Sequence, residues 1–223
     1  MPAKGVGVKA IVVAGGDAAP EDAALLADAE MVVAADSGAA WIASCGAVPD
    51  LVIGDMDSVD PELLQRLSDQ GAAVEAHPSE KDASDAELAV ARAAAAGATQ
   101  IVILGGLRGE RLDHELANLL QLADPRWRGI DLRIKRAGTT VRCLNAAGRL
   151  ALTGLGGDLV TLLPLGGDAE GVRTEGLRYA LDDETLAGGR TRGLSNEVVE
   201  PPASVSLKRG MLLIIETRKE PTP

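Results

Sequence analysis

Up to about residue 136 the chain alternates short apolar runs with stretches of helical period, and no other feature restricts its fold so much. The runs are AIVVAG at 10 to 15, MVVAAD at 31 to 36, DLVIGD at 50 to 55, IVILGG at 101 to 106 and IDLRI at 130 to 134. Such alternation is the mark of βα units feeding a parallel sheet. The helices between the runs carry start and stop signals. Asp60 can cap a helix with Pro61 at its first position, and Gly71 closes it. Ser84 and Glu87 form an S-x-x-E capping box that opens an Ala-rich helix ending at Gly97. Further helices are expected at 20 to 30, 37 to 45 and 113 to 123.

From about residue 138 the helical period disappears. Six strand-like segments follow at close spacing, TTVRCLN, GRLALTG, DLVTLLPL, GVRTEGLRYAL, SVSLKRG and MLLIIETR, with Gly-rich turns between them. They predict an antiparallel sandwich or barrel. The expected fold is therefore an α/β parallel-sheet domain over residues 1–137 followed by an all-β sandwich domain over residues 138–223, with the terminal EPTP frayed.

Charge and hydropathy narrow the function. With 22 Lys and Arg against 33 Asp and Glu the net charge is −11, which argues against a general nucleic-acid grip. No apolar run approaches the roughly 20 residues needed to cross a bilayer. The opening MPAKGVGVKAIVVAGG does not read as an export signal, so a soluble, cytoplasmic protein is expected. Cys45 and Cys143 have apolar neighbours and no metal-ligand spacing, which predicts buried, reduced thiols. Phe is absent, and the aromatic residues are Trp41, Trp127 and Tyr179; Trp41 falls on an apolar helical face and is expected in the core.

In an open parallel sheet, ligands bind beyond the carboxyl ends of the strands. Acids and glycines gather at three such ends: Asp36-Ser37-Gly38, then Gly54-Asp55-Met56-Asp57-Ser58, then Gly105-Gly106 leading to Arg108-Gly109-Glu110-Arg111-Leu112-Asp113-His114. Asp55 and Asp57 stand two apart, so in an extended segment both carboxylates face one way. Two like charges require a cation, and hard oxygen ligands favour Mg²⁺. Asp82 and Asp85 add acids where a loop meets a helix. Asp60, Asp82 and Asp85 can equally be caps or first-turn acids that complement a helix dipole. The GGLRGERLDH turn suits phosphate oxygens, although it lacks the GxxxxGK[ST] and GxGxxG patterns. His114 can serve as a base or merely orient Asp113, and His77 reads as surface.

The ordered motifs AGGD (14 to 17), ADSGAAW (35 to 41), PDLVIGDMDS (49 to 58), EKDASDAE (80 to 87), GERLDHELAN (109 to 118), the block from 158 to 181 and GLSNE (193 to 197) closely resemble those of thiamine pyrophosphokinases. The resemblance implies transfer of the diphosphoryl group of ATP to the hydroxyethyl oxygen of thiamine, giving thiamine diphosphate and AMP. It implies Mg²⁺ as cofactor, a nucleotide-binding first domain, a thiamine-binding second domain that also dimerises, and a homodimer with active sites at the subunit interface. Carried over by position, Asp55, Asp57 and Asp85 are the catalytic and Mg²⁺-holding acids. Asp36, Ser58, Lys81, Ser84, Arg111, Asp113 and His114 bind the nucleotide, Ser195 and Asn196 bind thiamine, and Leu165, Gly166 and Gly167 shape its pocket. Met56 stands where the family commonly has Phe, and Ser37 where Gly is usual. The competing expectations are a diphosphokinase of the same fold acting on a hydroxymethylpterin and a non-catalytic nucleotide or thiamine sensor.

Overall fold

A computed structural model describes residues 7–219. The first six residues of the opening segment and the terminal EPTP lie outside them. Two compact units divide between Ala137 and Gly138.

The first unit is built on strands β1 (Val8–Val13), β2 (Met31–Ala35), β3 (Leu51–Gly54), β4 (Ala73–Ala76), β5 (Ala98–Leu104) and β6 (Asp131–Arg136). They lie in the order β6-β5-β1-β2-β3-β4, with parallel pairing throughout. The crossovers carry helices α1 (Ala24–Ala27), α2 (Gly38–Ser44), α3 (Pro61–Asp69), α4 (Asp85–Ala95) and α5 (Leu112–Gln121). Ile11, Val13, Val52 and Leu104 from the sheet pack with Ile42 of α2 and Leu67 of α3 in one core, and Trp41 lies half-buried against it. Burial of a side chain such as Leu67 contributes about 2 kcal/mol.

The start signals work as their chemistry dictates. Asp60 accepts the Glu62 N–H at 3.0 Å, and Ser84 accepts the Glu87 N–H at 3.2 Å. Only half of the capping box forms, because the Glu87 carboxylate turns to Arg126 instead of back to Ser84. The helix expected over 20 to 30 shrinks to a 3-10 turn, Pro20–Ala23, and the single turn of α1. Its Asp22 is buried and accepts the Ala137 N–H at 2.7 Å, a tertiary bond that local propensity does not encode. Strand β4 was not signalled, since AVEA is an edge strand with almost nothing to bury.

Among the described residues the second unit has eight strands: β7 (Thr139–Asn145), β8 (Arg149–Ala151), β9 (Leu159–Pro164), β10 (Ala169–Glu175), β11 (Glu184–Leu186), β12 (Asn196–Glu197), β13 (Ser204–Ser206) and β14 (Met211–Thr217). Antiparallel pairing gives the orders β7-β14-β9-β12 and β8-β13-β10-β11. Val160, Leu162 and Ile214 from the first sheet share a core with Val172, Leu186 and Val205 from the second. Six strands were expected; β11 and β12, of three and two residues, are too short to show a pattern. The GVRTEGLRYAL segment is not one strand, because β10 ends at Glu175. Gly176 follows at φ +72°, where an added Cβ would lie 2.3 Å from the Glu200 carbonyl.

Two further expectations are corrected. Cys45 is exposed at the end of α2, beyond the face that Ile42 buries, whereas Cys143 is half-buried and burial pushes its thiol up to about 11. His77 is half-buried, its Nε2 3.0 Å from Glu75 Oε1. Among the described residues no helix is long and apolar enough to cross a membrane.

Candidate functional site

The parallel strands deliver their acids to one edge. Asp36 follows β2, Asp55 and Asp57 follow β3, and one carboxylate oxygen of each lies within 4.8 Å of the others. Backbone geometry makes this possible. Asp36 adopts φ +48°, Met56 +63° and, after β5, Arg108 +59°, so the chain turns sharply at three strand ends in a conformation uncommon for residues with a Cβ. Gly54, at φ +152°, leaves the space between two acids: a Cβ there would sit 3.1 Å from both Asp36 Cβ and Asp85 Cγ. Gly105, at φ +66°, lets the β5 end approach the Ala14 carbonyl, and its own carbonyl accepts the Gly16 N–H.

Each acid has a different environment. Burial pushes the Asp36 carboxyl up from its ordinary value; the Ser37 N–H and Ser58 hydroxyl pull it back, while Asp85 and Asp55 add repulsion. Asp36 Oδ1 is buried without a donor among the described residues. The Asp57 N–H, 3.2 Å from Asp55 Oδ1, does most to hold the Asp55 carboxyl below its ordinary value, helped by Ser79 and Lys81 against a desolvation penalty. Asp57 is exposed and accepts the Ser58 hydroxyl at 2.9 Å. Asp85 opens α4, where its Oδ1 lies 3.0 Å from Lys81 Nζ, and that ammonium is 3.6 Å from Asp55 Oδ2. Burial lowers the Lys81 pKa, but its bonds to Asp85 and Asp55 outweigh that and hold the ammonium above its ordinary value.

The edge thus brings together Asp36, Asp55, Asp57, Ser58, Lys81 and Asp85. Asp36, expected to bind the nucleotide, joins the convergent carboxylates, and Ser79, which the motifs did not single out, helps hold the Asp55 carboxyl below its ordinary value. Ser84 spends its hydroxyl as the α4 cap, and Asp60 likewise caps α3. Arg111 and Asp113 pair with each other at the start of α5, both largely exposed, beside exposed His114. No hydrogen bond or ion pair links these three to the carboxylate cluster among the described residues. At the neighbouring strand ends Arg136 of β6 bonds the carbonyl and carboxylate of Asp17, a tie the motifs did not signal.

In the second unit Ser195 is exposed at φ +55°, its N–H donating to Thr161 Oγ1. Asn196 is buried and engaged at both ends of its amide: Oδ1 accepts the Tyr179 and Glu197 N–H groups, and Nδ2 donates to the Tyr179 carbonyl. Its amide therefore holds the backbone of exposed Tyr179 rather than reaching outward. Gly166 and Gly167 turn the chain after β9 with φ +74° and +149°.

A hard divalent cation suits the first-unit cluster. Three carboxylates converge, no sulfur or imidazole donor joins them, and the unpartnered oxygen of Asp36 needs a positive charge. Such a cluster can bind the metal complex of a polyphosphate at a sheet edge open to solvent.

Residues 23–134 match the family model described as thiamin pyrophosphokinase, catalytic domain, and residues 151–212 match thiamin pyrophosphokinase, vitamin B1 binding domain. The thiamine pyrophosphokinase of Bacillus subtilis (strain 168) is 24% identical over 194 residues, covering 83% of this chain and 86% of that protein. Thiamine pyrophosphokinase 1 of Oryza sativa subsp. japonica is 26% identical over 179 residues, covering 76% of this chain and 67% of that protein. Among solved structures, the Bacillus subtilis thiamine pyrophosphokinase superposes with a TM-score of 0.83 at 23% identity, covering 95% of this chain and 100% of that one. The Candida albicans thiamin pyrophosphokinase does so at 0.77 with 15% identity, covering 95% and 90%. At these identities the superpositions carry the fold.

Proposed function

Because the chain belongs to the thiamin pyrophosphokinase family and is a thiamine pyrophosphokinase, we propose that its carboxylate-lined sheet edge is where ATP is held for diphosphoryl transfer to thiamine. The observation that carries the reading is the convergence of Asp36, Asp55 and Asp57, one carboxylate oxygen of each lying within 4.8 Å of the others. Without a cation four neighbouring acids repel a polyphosphate. Asp55 and Asp57, with Asp36 or Asp85, would hold Mg²⁺, which would supply charge neutralisation to the carboxylates and the phosphate oxygens.

The thiamine hydroxyl oxygen forms a bond to the β-phosphorus as the bond from that phosphorus to the α,β-bridging oxygen breaks. AMP leaves with the bridging oxygen and its electron pair, and the hydroxyl proton passes to Asp57 or Asp85. A loose transition state asks little of the base, so positioning and charge dominate. Lys81 contributes positive charge to the diphosphate, and Ser58 fixes the Asp57 carboxylate. Arg111, Asp113 and His114 at the start of α5 form the rim for the nucleotide. Ser195 meets thiamine in the second unit, and Asn196 acts as a positioning residue for Tyr179. The same reading includes a homodimer with active sites at the subunit interface and a cytoplasmic setting.

With ATP, Mg²⁺ and thiamine the protein is expected to release AMP and thiamine diphosphate in equal amounts, read by chromatography. ADP in place of AMP overturns the reading, and turnover of a hydroxymethylpterin in place of thiamine moves the assignment to that substrate. Asp57→Asn is expected to lower kcat by about 100-fold or more with the circular dichroism unchanged.

A further inference from the structure

Lys81 occupies a place that a metal ion also needs. Both oxygens of Asp55 are engaged, Oδ1 by the Asp57 N–H at 3.2 Å and Oδ2 by Lys81 Nζ at 3.6 Å. The ammonium also lies 3.0 Å from Asp85 Oδ1, and the Lys81 side chain is only 15% exposed. By contrast, among the described residues Asp36 Oδ1 has no donor and Asp57 accepts only the Ser58 hydroxyl. A cation approaching Asp36 and Asp57 meets no resident charge, whereas at Asp55 it meets one.

We propose that Lys81 is the resident counter-cation of Asp55, that a divalent ion must displace it to complete its ligand set, and that the displaced ammonium then binds the diphosphate of the incoming nucleotide. The inference rests on the reading of these carboxylates as the metal site. Its physical core is reciprocal competition. An ammonium and a divalent ion sharing one carboxylate repel each other, so each weakens the other. A polyphosphate removes the conflict by giving the ammonium a partner of its own. Lys81 therefore opposes the metal when nucleotide is absent and supports it when nucleotide is present. A flexible four-carbon stem carrying a compact charge is suited to that exchange. The consequence is ordered loading, since the metal–nucleotide complex binds far better than either component alone.

The test reads metal binding rather than turnover. Mn²⁺ is titrated into the native protein, Lys81→Met and Lys81→Arg, with free Mn²⁺ followed by electron paramagnetic resonance, alone and with α,β-methylene-ATP. Lys81→Met is expected to bind Mn²⁺ alone about 3- to 10-fold more tightly than the native protein and Mn²⁺ with the analogue about 10-fold more weakly, with Lys81→Arg following the native protein. Unchanged or weaker binding of Mn²⁺ alone by folded Lys81→Met overturns the proposal, as does a change of the same sign in both conditions. Lys81→Gln repeats the measurement if Lys81→Met does not fold. If the native protein binds no Mn²⁺ and Asp57→Asn behaves identically, the metal-site reading falls too, an outcome distinct from binding that Lys81 leaves unaltered.

Discussion

Asp36 is half-buried, left-handed in backbone and short of one hydrogen-bond donor, so its charge burdens the fold while serving the site. Its folded-state pKa stands above the ordinary 3.8, chiefly through burial. For an acid shifted upward, the cost to stability is absent where the group is protonated in both states. It grows as pH rises from the unfolded value through the folded one. Asp36→Asn is therefore expected to raise the melting temperature of the chelator-treated protein at pH 7 by about 1 to 3 °C. The gain should fade as pH falls towards 4, and kcat should drop by about 100-fold or more. Calorimetry across that pH range decides the first point; a loss of stability at pH 7 would contradict it. The acidic pairs were legible as sequence because strand ends are where ligands bind. The approach of Asp36 to within 4.8 Å of Asp55 and Asp57 was not, since that distance depends on which strands are neighbours.

Strand β3 shows how an element imposes chemistry on its successors. It pairs with β2 on one side and β4 on the other, and its last residue, Gly54, separates the acids that follow β2 and open α4. Gly54→Ala is expected to leave the fold cooperative, to lower the melting temperature by several degrees and to reduce Mn²⁺ affinity by about 10-fold or more. The backbone conformation is unfavourable for alanine, and the new methyl group crowds both acids. Titration of Mn²⁺ into this variant checks the claim, and native affinity would refute it. The five apolar runs and the caps at Asp60 and Ser84 were readable because burial and capping are local signals. Strands β4, β11 and β12 were not, because edge and very short strands carry too few apolar residues to set a period.

For the whole molecule, the homodimer proposed above requires an apolar surface to cover; the resemblance assigns dimerisation to the second domain, but α5 of the first unit carries an exposed apolar stripe that we propose takes part. Leu112, Leu116 and Leu120 stand four residues apart and are exposed by 68%, 49% and 57%. That spacing aligns them on one stripe of the helix. Sedimentation at micromolar concentration is expected to give twice the chain mass of 22.9 kDa, and Leu116→Glu is expected to shift the protein to monomer. A monomeric native protein would remove the dimer from the reading. The change of texture near residue 138 was visible in the sequence because one half repeats with helical period and the other does not. The pairing order within each sheet was invisible, because it is a property of contacts distant along the chain.

Strand β1 precedes β2 and β5 in sequence yet lies between them in the sheet. During synthesis it must wait for a neighbour that the ribosome makes about 85 residues later, which at about 5 to 20 residues per second is several seconds with one hydrogen-bonding edge bare. A strand left so long with a bare edge is open to the wrong partners well before any substrate is met.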